Sequence, residues 1–462
     1  SLEAPRITLR SDDANRAAVV SSVVGYSALG EPGTGRSGSV VLRRASDVEV
    51  LGNASIRTST PGGQAGDIEV NTRNLTLDGR GFVASIDSVS GDTLFESIAP
   101  GRAGIVKLDA SANVLIRNGG QVNVGVLDGG SGNGAIRVNA GAVLLDGGNL
   151  VDGPSTGLFG GLPSIFSGLV SVGAPIDVVA RSIRLTGGAA VDSSSGGEGS
   201  SGSIHLRAND IAITDGASVS ASSFGNGRSG GITLQANTVL VSGKGSVVNA
   251  STRDAIAGDI LIGQQGTSTV PSIAGDIAIG PGTISLQEGA RVFSATLGKG
   301  QGGAVLLRGN EVNLAGNSVI GVGTGLGAMG APATAGVVDV RAECGLPFDE
   351  RRVRAHPEPL LTLRQGRRPH HRCARRGLDG AQLDHGRSHG RTSGLAQDQC
   401  RANDDVFGRD PWERLCRGAP WQHRFGRQGF ADAGTRSGNQ RLRRFGALGD
   451  SGGRFLWRLH RH

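Results

Sequence analysis

Acidic residues recur at one position of this sequence, and carboxylates are groups that could carry general acid–base chemistry. Asp67, Asp259 and Asp276 each follow a glycine that opens a similar stretch of sequence. Catalytic residues occur once, whereas a residue that recurs from copy to copy is structural, because a turn favours aspartate there. No group of acidic residues stands out on adjacent copies. We therefore predict no catalytic residue and a protein that is not an enzyme.

Metal-binding and cofactor-binding chemistry would need other patterns, which this chain does not have. The cysteines are widely spaced, at Cys344, Cys373, Cys400 and Cys416. Structural zinc sites use cysteine pairs only a few positions apart, so no metal site is expected. The glycine- and serine-rich tract at 193–202 lacks the Gly-Lys-Ser/Thr ending of a phosphate-binding loop. We interpret it as a flexible corner loop and expect no cofactor.

The elements that carry these residues are copies of one repeated stretch. Gly66-Asp-Ile-Glu-Val and Gly202-Ser-Ile-His-Leu open two of the copies, and others begin near Gly38, Gly104, Gly134, Pro175, Gly231, Gly258, Gly303 and Gly336. The spacing clusters near a period of roughly 28 residues, and self-similarity at such a period is typical of solenoids. Propeller blades need about 40 to 50 residues.

Within a copy, apolar residues alternate with polar ones. Ile204 and Leu206 form one run, Ile211 and Ile213 a second, and Val219 lies in a third. Alternation over three to five residues predicts half-buried strands, separated here by turn residues that tolerate positive φ. The predicted outward residues are mostly polar and include Glu69, Thr76, His205, Arg207, Thr233 and Gln235. Stacked copies would form an all-β, right-handed parallel β-helix over residues 1–343.

Composition excludes several classes of protein for this region. Residues 1–343 contain no cysteine and carry 23 basic against 28 acidic residues, so nucleic-acid binding is not expected. No apolar run reaches the length that a membrane-spanning helix needs. There is neither a signal peptide nor an initiator methionine, the single methionine being Met329. We therefore expect an internal piece of a longer exported protein.

The repeats resemble those of filamentous-haemagglutinin-like exoproteins of two-partner secretion. The similarity lies in the Gly-[Asp/Ser/Ala]-Ile-x-[Leu/Val] opening, the Leu-x-Leu-x-x-Gly segment and the Gly-Ala-x-Val-x-Ala-Ser/Thr close, over residues 36–343. It implies a secreted, bacterial cell-surface β-helical protein that acts in adhesion or cell–cell contact. It also implies an outer-membrane secretion partner for the parent protein, and a glycan or protein on a host or neighbouring cell as ligand. The N-terminal secretion domain of that family is not present in this sequence.

One insertion is a candidate contact patch. Residues 152–175 lengthen one coil and contain Phe159, Leu162, Ile165, Phe166 and Leu169. These apolar residues either pack locally on the β-helix or form an exposed patch that contacts a partner. A polysaccharide lyase or hydrolase on the β-helix scaffold is the alternative to a binding role, because such enzymes place carboxylates or basic residues on one exposed sheet.

The C-terminal segment, residues 344–462, differs in composition from the repeats. It contains 24 arginines, no lysine and 12 acidic residues, and it accounts for the positive net charge of the chain. A nucleic-acid-binding or toxin domain, which could act as a contact-delivered effector, is one interpretation. A disordered basic tail is a second, and a shifted reading frame is the third. Since no apolar periodicity indicates a core, we expect this tail to have no fold.

The genetic code favours the shifted frame. Every arginine codon has G as its middle base, so a one-base shift converts arginine to Gly, Ala, Val, Asp or Glu. Residues 348–354 can then read Leu-Thr-Asn-Gly-Ala-Ser-Val, which is close to the Ile-Thr-Asp-Gly-Ala-Ser-Val at 213–219. Residues 367–372 can read Gly-Asp-Leu-Thr-Ile-Asp, and 457–462 can read Gly-Asp-Phe-Thr-Val-Thr, both like coil openings.

Overall fold

A computed structural model describes residues 1–25, 33–91, 101–126, 134–149, 153–161, 172–196, 199–264, 266–296, 300–323, 333–342 and 360–365. The chain divides into two units, Ser1–Ala402 and Asn403–His462, and the described residues all belong to the first. These residues form strands and turns and contain no helix.

In chain order the strands are β1 Leu2–Glu3, β2 Arg6–Ser11, β3 Ala18–Val23, β4 Val40–Gly52, β5 Ala54–Thr60, β6 Ile68–Asp78, β7 Ala84–Ser90, β8 Ile105–Arg117, β9 Gly120–Val126, β10 Ala135–Asp146, β11 Gly157–Phe159, β12 Ile176–Thr186, β13 Ala190–Asp192, β14 Ile204–Arg207, β15 Asp210–Thr214, β16 Ser218–Ser220, β17 Ile232–Gln235, β18 Thr238–Ser242, β19 Val247–Asn249, β20 Ile260–Gly263, β21 Ser268–Val270, β22 Ile277–Ile279, β23 Thr283–Gln287, β24 Arg291–Phe293, β25 Gly300–Gln301, β26 Val305–Gly309, β27 Glu311–Leu314, β28 Val319–Gly321, β29 Ala333–Thr334, β30 Val337–Ala342 and β31 Leu360–Gln365.

Apart from the antiparallel pair β21–β22 and the short parallel pair β25–β29, the strands stack as three parallel ladders. We call these ladders faces 1, 2 and 3, in the order in which each coil passes through them. In a typical coil β14 lies on face 1, β15 on face 2 and β16 on face 3. Ile176, Ile204 and Ile232 pair in turn, so the register repeats at the period that the sequence predicts. The predicted parallel β-helix is therefore confirmed.

The repeat pattern predicts that the first two strands of each coil are separate, but in several coils they are continuous. In β4, β6, β8, β10 and β12 they run on as one strand of 11 to 13 residues. Pairings along β4, β6, β8 and β10 contain a register shift at the bend between faces 1 and 2. From β14 onward the ladder breaks there instead, at positions such as Asn209 and Asn237. We call this bend the face 1–2 corner.

The inward residues of all three faces form one apolar core. Ile204, Leu206, Ile213 and Val219 have 0% exposed surface, and Ile211 has 1%. Their register partners in neighbouring coils are also valine, leucine or isoleucine, so the core continues from coil to coil. At roughly 25 cal/mol per Å² of buried apolar surface, this column is the main source of stability. No single coil could bury its own share.

The glycine that opens most repeats permits close packing between coils, and its backbone dihedral angles do not by themselves call for glycine. A Cβ atom on Gly230 would lie 1.9 Å from the carbonyl oxygen of Gly202, and one on Gly258 would lie 1.9 Å from that of Gly230. Neither residue has a positive φ. The expected positive-φ corner does occur between faces 2 and 3, where Asp215 has φ of 54° and Gly216 of 79°. One coil carries Ala174 at the opening position.

Two features interrupt the regular coil. The step from Ile260 to its partner Val305 is much longer than a typical coil, and the extra chain contains the antiparallel hairpin β21–β22. The last described strand, β31, lies within the segment that its composition sets apart from the repeats. It pairs Leu360 with Val337 of β30, which is a shorter step along the chain than those between the other described strands of face 1.

Candidate contact surfaces

Face 1 carries charged side chains that neutralise one another along the stack. The guanidinium of Arg43 lies 3.1 Å from the carboxylate of Glu69. The Lys107 ammonium lies 4.0 Å from Glu69 and 2.6 Å from Asp109. A hydrogen bond from Asn71, followed by that from Arg43, lowers the pKa of Glu69 below its ordinary value. A carboxyl with a lowered pKa is a poor general acid, so this cluster has the character of an ion-pair network.

Two coils further along, a second network joins three residues of face 1. His205 Nδ1 lies 2.9 Å from Asp177 Oδ1, and the Arg207 guanidinium lies 3.9 Å from the same oxygen. The hydrogen bond to His205 is the main reason why the pKa of Asp177 is lowered. The strand pattern predicts that His205 is an exposed strand residue. It faces outward as predicted, but it is half-buried and has a partner on the adjacent coil.

Two of the three aspartates that follow repeat glycines have the expected structural role. Asp67 Oδ1 accepts a hydrogen bond from the amide of Ile105 at 2.7 Å, and Asp259 Oδ1 accepts one from Ala304 at 2.8 Å. Each carboxylate therefore joins its own coil to the next one. The prediction is wrong for Asp276, which is an exposed residue of the β21–β22 hairpin. Its Gly-Asp-Ile-Ala-Ile sequence imitates a coil opening.

Face 3 carries two carboxyls with the opposite electrostatic character. Asp87 and Asp192 keep part of their surface exposed, but the protein atoms around their carboxyls desolvate them and raise the pKa of both. Asp87 accepts hydrogen bonds from Asn123 at 2.7 Å and from Ser85 at 2.6 Å. Nothing in the repeat pattern distinguishes these two residues from the other polar outward positions.

These two carboxyls are too far apart to act as a glycosidase pair. The register places Asp87, Asn123, Phe159 and Asp192 on successive coils of one outward column. Three steps of strand spacing separate Asp87 from Asp192 by about 14 Å. Glycosidase carboxyls lie about 5 to 9.5 Å apart. The arrangement therefore does not match the geometry of that reaction.

Of the predicted apolar patch, the structure describes Phe159 alone. This residue ends β11 and is half-buried on face 3, between Asn123 and Asp192. Leu162, Ile165, Phe166 and Leu169 lie outside the described residues, as do the four cysteines. The contact patch stays a prediction.

The glycine- and serine-rich tract is not simply a flexible corner loop. Ser193, Ser194 and Ser195 are at most 5% exposed. Ser195 Oγ donates to the carbonyl of Gly199 at 2.6 Å, and Ser194 Oγ lies 2.9 Å from Ser220 Oγ. Small hydroxyl side chains satisfy backbone carbonyls in the tight interior of this corner, so the prediction was wrong for this part of the tract.

The β21–β22 hairpin lies back along the face 1–2 corner toward earlier coils. At its base, Asn237 donates Nδ2 to the carbonyl of Ala278 at 3.0 Å and accepts the amide of Gly280 at 2.7 Å. Farther along, the Arg181 guanidinium donates to the carbonyl of Ala274. At the tip, the amide of Ile273 donates to Asn139 Oδ1 at 2.8 Å. Corner side chains thus bind the hairpin through its main chain.

Apolar contacts also hold the hairpin against face 1. Val179 faces outward from face 1 and is 9% exposed, because it packs with Val270, Ile277 and Ile279 of the hairpin. Beyond the tip, the corner opens into a cleft of about 430 Å³. Its lining includes Arg44, Asn71, Arg73, Asp109, Ser111 and Ile273. The long interval between the openings at Gly258 and Gly303, together with Pro271 and Gly275, was the available signal in the sequence for this hairpin.

Within the described ranges, no group of three histidine, cysteine or acidic residues could hold a metal ion. The same part of the chain has no helix long and apolar enough to cross a membrane. By its fold, the chain is a parallel β-helix protein. Comparison with known proteins adds no relative, since no protein-family model, curated protein or solved structure matches the chain.

Proposed function

We propose that this chain belongs to a secreted, surface-exposed bacterial protein that acts by contact, in adhesion or cell–cell association, and not by catalysis. The observation that carries the proposal is the character of the outward columns. Charged residues on face 1 pair with one another in two networks, and the two carboxyls of raised pKa on face 3 stand too far apart for a hydrolytic pair. The resemblance of the repeats to filamentous-haemagglutinin-like exoproteins supports the same class of function.

In this proposal the parent protein leaves the cell through an outer-membrane partner and binds a glycan or protein on a host or neighbouring cell. Many weak contacts along a repetitive surface would add up through multivalency. The residues near Phe159 are the first place to look for such contacts, since an aromatic side chain there lies among polar outward neighbours.

The test uses beads coated with the full chain and counts the cells that adhere to them. Replacing Phe159 and Phe166 by serine should reduce adhesion while the circular dichroism of the β-helix is retained. Phe224→Ser is the matched control, because Phe224 is 47% exposed and lies outside the proposed patch. Absence of adhesion by the wild-type chain would contradict the proposal.

A parallel assay addresses the alternatives. Release of sugars from polysaccharides by the same chain would favour the lyase or hydrolase. A cooperative unfolding transition of separately expressed residues 344–462 would favour the contact-delivered toxin.

A further inference from the structure

The contacts of the β21–β22 hairpin show which groups of a polypeptide the face 1–2 corner binds. Asn237, Arg181 and Asn139 contact only main-chain atoms of the hairpin in the hydrogen bonds described above. Such contacts do not depend on the side chains of the bound segment. The polar side chains of the corner therefore suit the main chain of an extended peptide, and Val179 adds an apolar contact.

The same chemistry continues past the hairpin tip. The register places Asn71 and Asn139 in one outward column of face 1, with Asp109 between them. It also places Arg73 at the corner position that Arg181 occupies three coils later, flanked by Thr72 and Asn74 as Arg181 is flanked by Ala180 and Ser182. An amide and a guanidinium thus recur in the open cleft, where no segment of the described chain covers them.

We propose that the open cleft binds an extended peptide segment of another protein, which continues the path of the hairpin along the corner. Ile273 at the hairpin tip would contact an apolar side chain at the near end of the segment. Asn71 and one N–H group of Arg73 would bind its main chain, as Asn139 and Arg181 bind the hairpin. The other N–H groups of the Arg73 guanidinium would remain available for a side chain.

Charge in the cleft specifies the segment further. The Arg44 guanidinium is paired with Glu3 at 3.1 Å, and Asp109 is paired with Lys107 at 2.6 Å. Arg73 is exposed and has no ion-pair partner among the described residues. The preferred peptide therefore carries an acidic side chain, which would supply the missing partner for Arg73.

The experiment measures fluorescence anisotropy of a fluorescein-labelled peptide with the sequence of residues 268–279, Ser-Thr-Val-Pro-Ser-Ile-Ala-Gly-Asp-Ile-Ala-Ile, titrated with the full chain. The chain's own hairpin already occupies Asn237, Arg181 and Asn139 at the corner. Saturable binding of the peptide would therefore report on the open cleft. Arg73→Ala should weaken binding about tenfold, which is the size of one lost charge-assisted hydrogen bond. A peptide with lysine in place of the aspartate should weaken binding similarly.

Arg228→Ala is the matched control, because Arg228 is an exposed arginine outside the cleft. This variant should bind the peptide as the wild-type chain does. Lack of saturable binding up to about 1 mM, or equal affinity of the Arg73 and Arg228 variants, would overturn the inference. The inference does not depend on the proposed adhesive function, since the peptide titration involves no cells and the bead assay involves no peptide.

Discussion

His205 and Asp177 occupy the same outward column on adjacent coils of face 1, with 2.9 Å between Nδ1 and Oδ1. The contact joins two coils through their side chains, in addition to the backbone ladder. Since the hydrogen bond lowers the pKa of Asp177, its ionised form is the one that stabilises the fold.

This contact predicts loss of stability in acid. Because the pKa of Asp177 is lower in the folded than in the unfolded chain, the contribution is complete above the ordinary carboxyl pKa of about 3.9. It is lost as the pH falls through the lowered value. Asp177→Asn should therefore unfold at a lower temperature than wild type at pH 6, and this difference should shrink as the pH falls below about 3.9. Asp210→Asn, which changes an exposed carboxyl on face 2, is the control. Its unfolding temperature should stay close to that of wild type at each pH.

Asp192 should behave in the opposite way. Its pKa is raised by desolvation, so its stability contribution falls as the pH rises from the unfolded pKa through the folded one. Asp192→Asn retains an oxygen that can accept the Ser194 amide, 2.7 Å away in the wild type, and removes the desolvated charge. Thermal unfolding should show the variant more stable than wild type at pH 7 and similar to it at pH 3. Equal unfolding temperatures at pH 7 would show that the carboxylate is not penalised by its surroundings.

The glycine column predicts a steric limit on the coil stack. In Gly230→Val the new Cβ would lie 1.9 Å from the Gly202 carbonyl oxygen, so adjacent coils must move apart. Overpacking of this kind costs about 1–3 kcal/mol or more, and denaturant unfolding should show at least that loss. Gly35→Val is the matched control, because its Cβ would make only ordinary contacts at 3.8 Å with Val24. Similar stability of the two variants would rule out the close-packing explanation.

Release of the hairpin should follow from a change at its base. Asn237→Ala removes two hydrogen bonds to the hairpin main chain, worth together about 2 kcal/mol. Hydrogen exchange of the amides in Ile277–Ile279 should become about 30-fold faster, while exchange in the core strands stays unchanged. Asn209→Ala, at the same corner of the preceding coil, should leave hairpin exchange as in wild type. If both variants accelerate exchange equally, Asn237 does not hold the hairpin.

The shifted-frame hypothesis gains a more specific form from the observed register. Within a coil, the first inward residue of face 1 and the second inward residue of face 2 are a nearly constant distance apart in the sequence. Ile204 and Ile213 are nine positions apart, and Val106 and Ile116 are ten positions apart. In the shifted frame a leucine would fall at position 348, ten after Val338. The next coil opening would place its leucine at 369. That step from Val338 is longer than the step from Ile204 to Ile232 and shorter than the one that contains the hairpin.

Resequencing the gene across codons 337 to 357 tests this directly. We expect a one-base change that restores the repeat frame. An unbroken frame as given would make the arginine-rich segment a genuine part of the protein, and the short step from Val337 to Leu360 would then be a native feature.

The periodicity of the sequence was sufficient to predict the coil and most of its register. Alternation at Ile204 and Leu206 determines which side chains point inward, and repetition from copy to copy determines what stacks on them. The hairpin was not predictable in this way, because Ile277 and Ile279 alternate with polar or small residues as in a coil strand. They nevertheless pack against Val179 on the outer surface of the β-helix. Local pattern shows that a strand forms and does not show which surface it covers.

The candidate sites were less predictable than the fold. Raised pKa values at Asp87 and Asp192 depend on crowding by neighbouring coils, which no single repeat encodes. The close-packing role of the repeat glycines could not be told from the sequence, because close approach of two backbones and a positive φ both select glycine. The partnership of Arg181 with Ala274 joins residues 93 positions apart and follows from the path of an insertion.

The stacked opening glycines have a consequence for how this protein can change over generations. They fix the point at which the chain re-enters face 1, whatever length of chain precedes it. The steps from Val40 to Ile68, from Ile68 to Val106 and from Val106 to Ile136 all differ in length, yet these four residues stay aligned. Segments gained or lost just before that point leave neighbouring coils undisturbed. Whole coils are therefore interchangeable units, and unequal recombination between copies could lengthen or shorten the protein without creating a new fold.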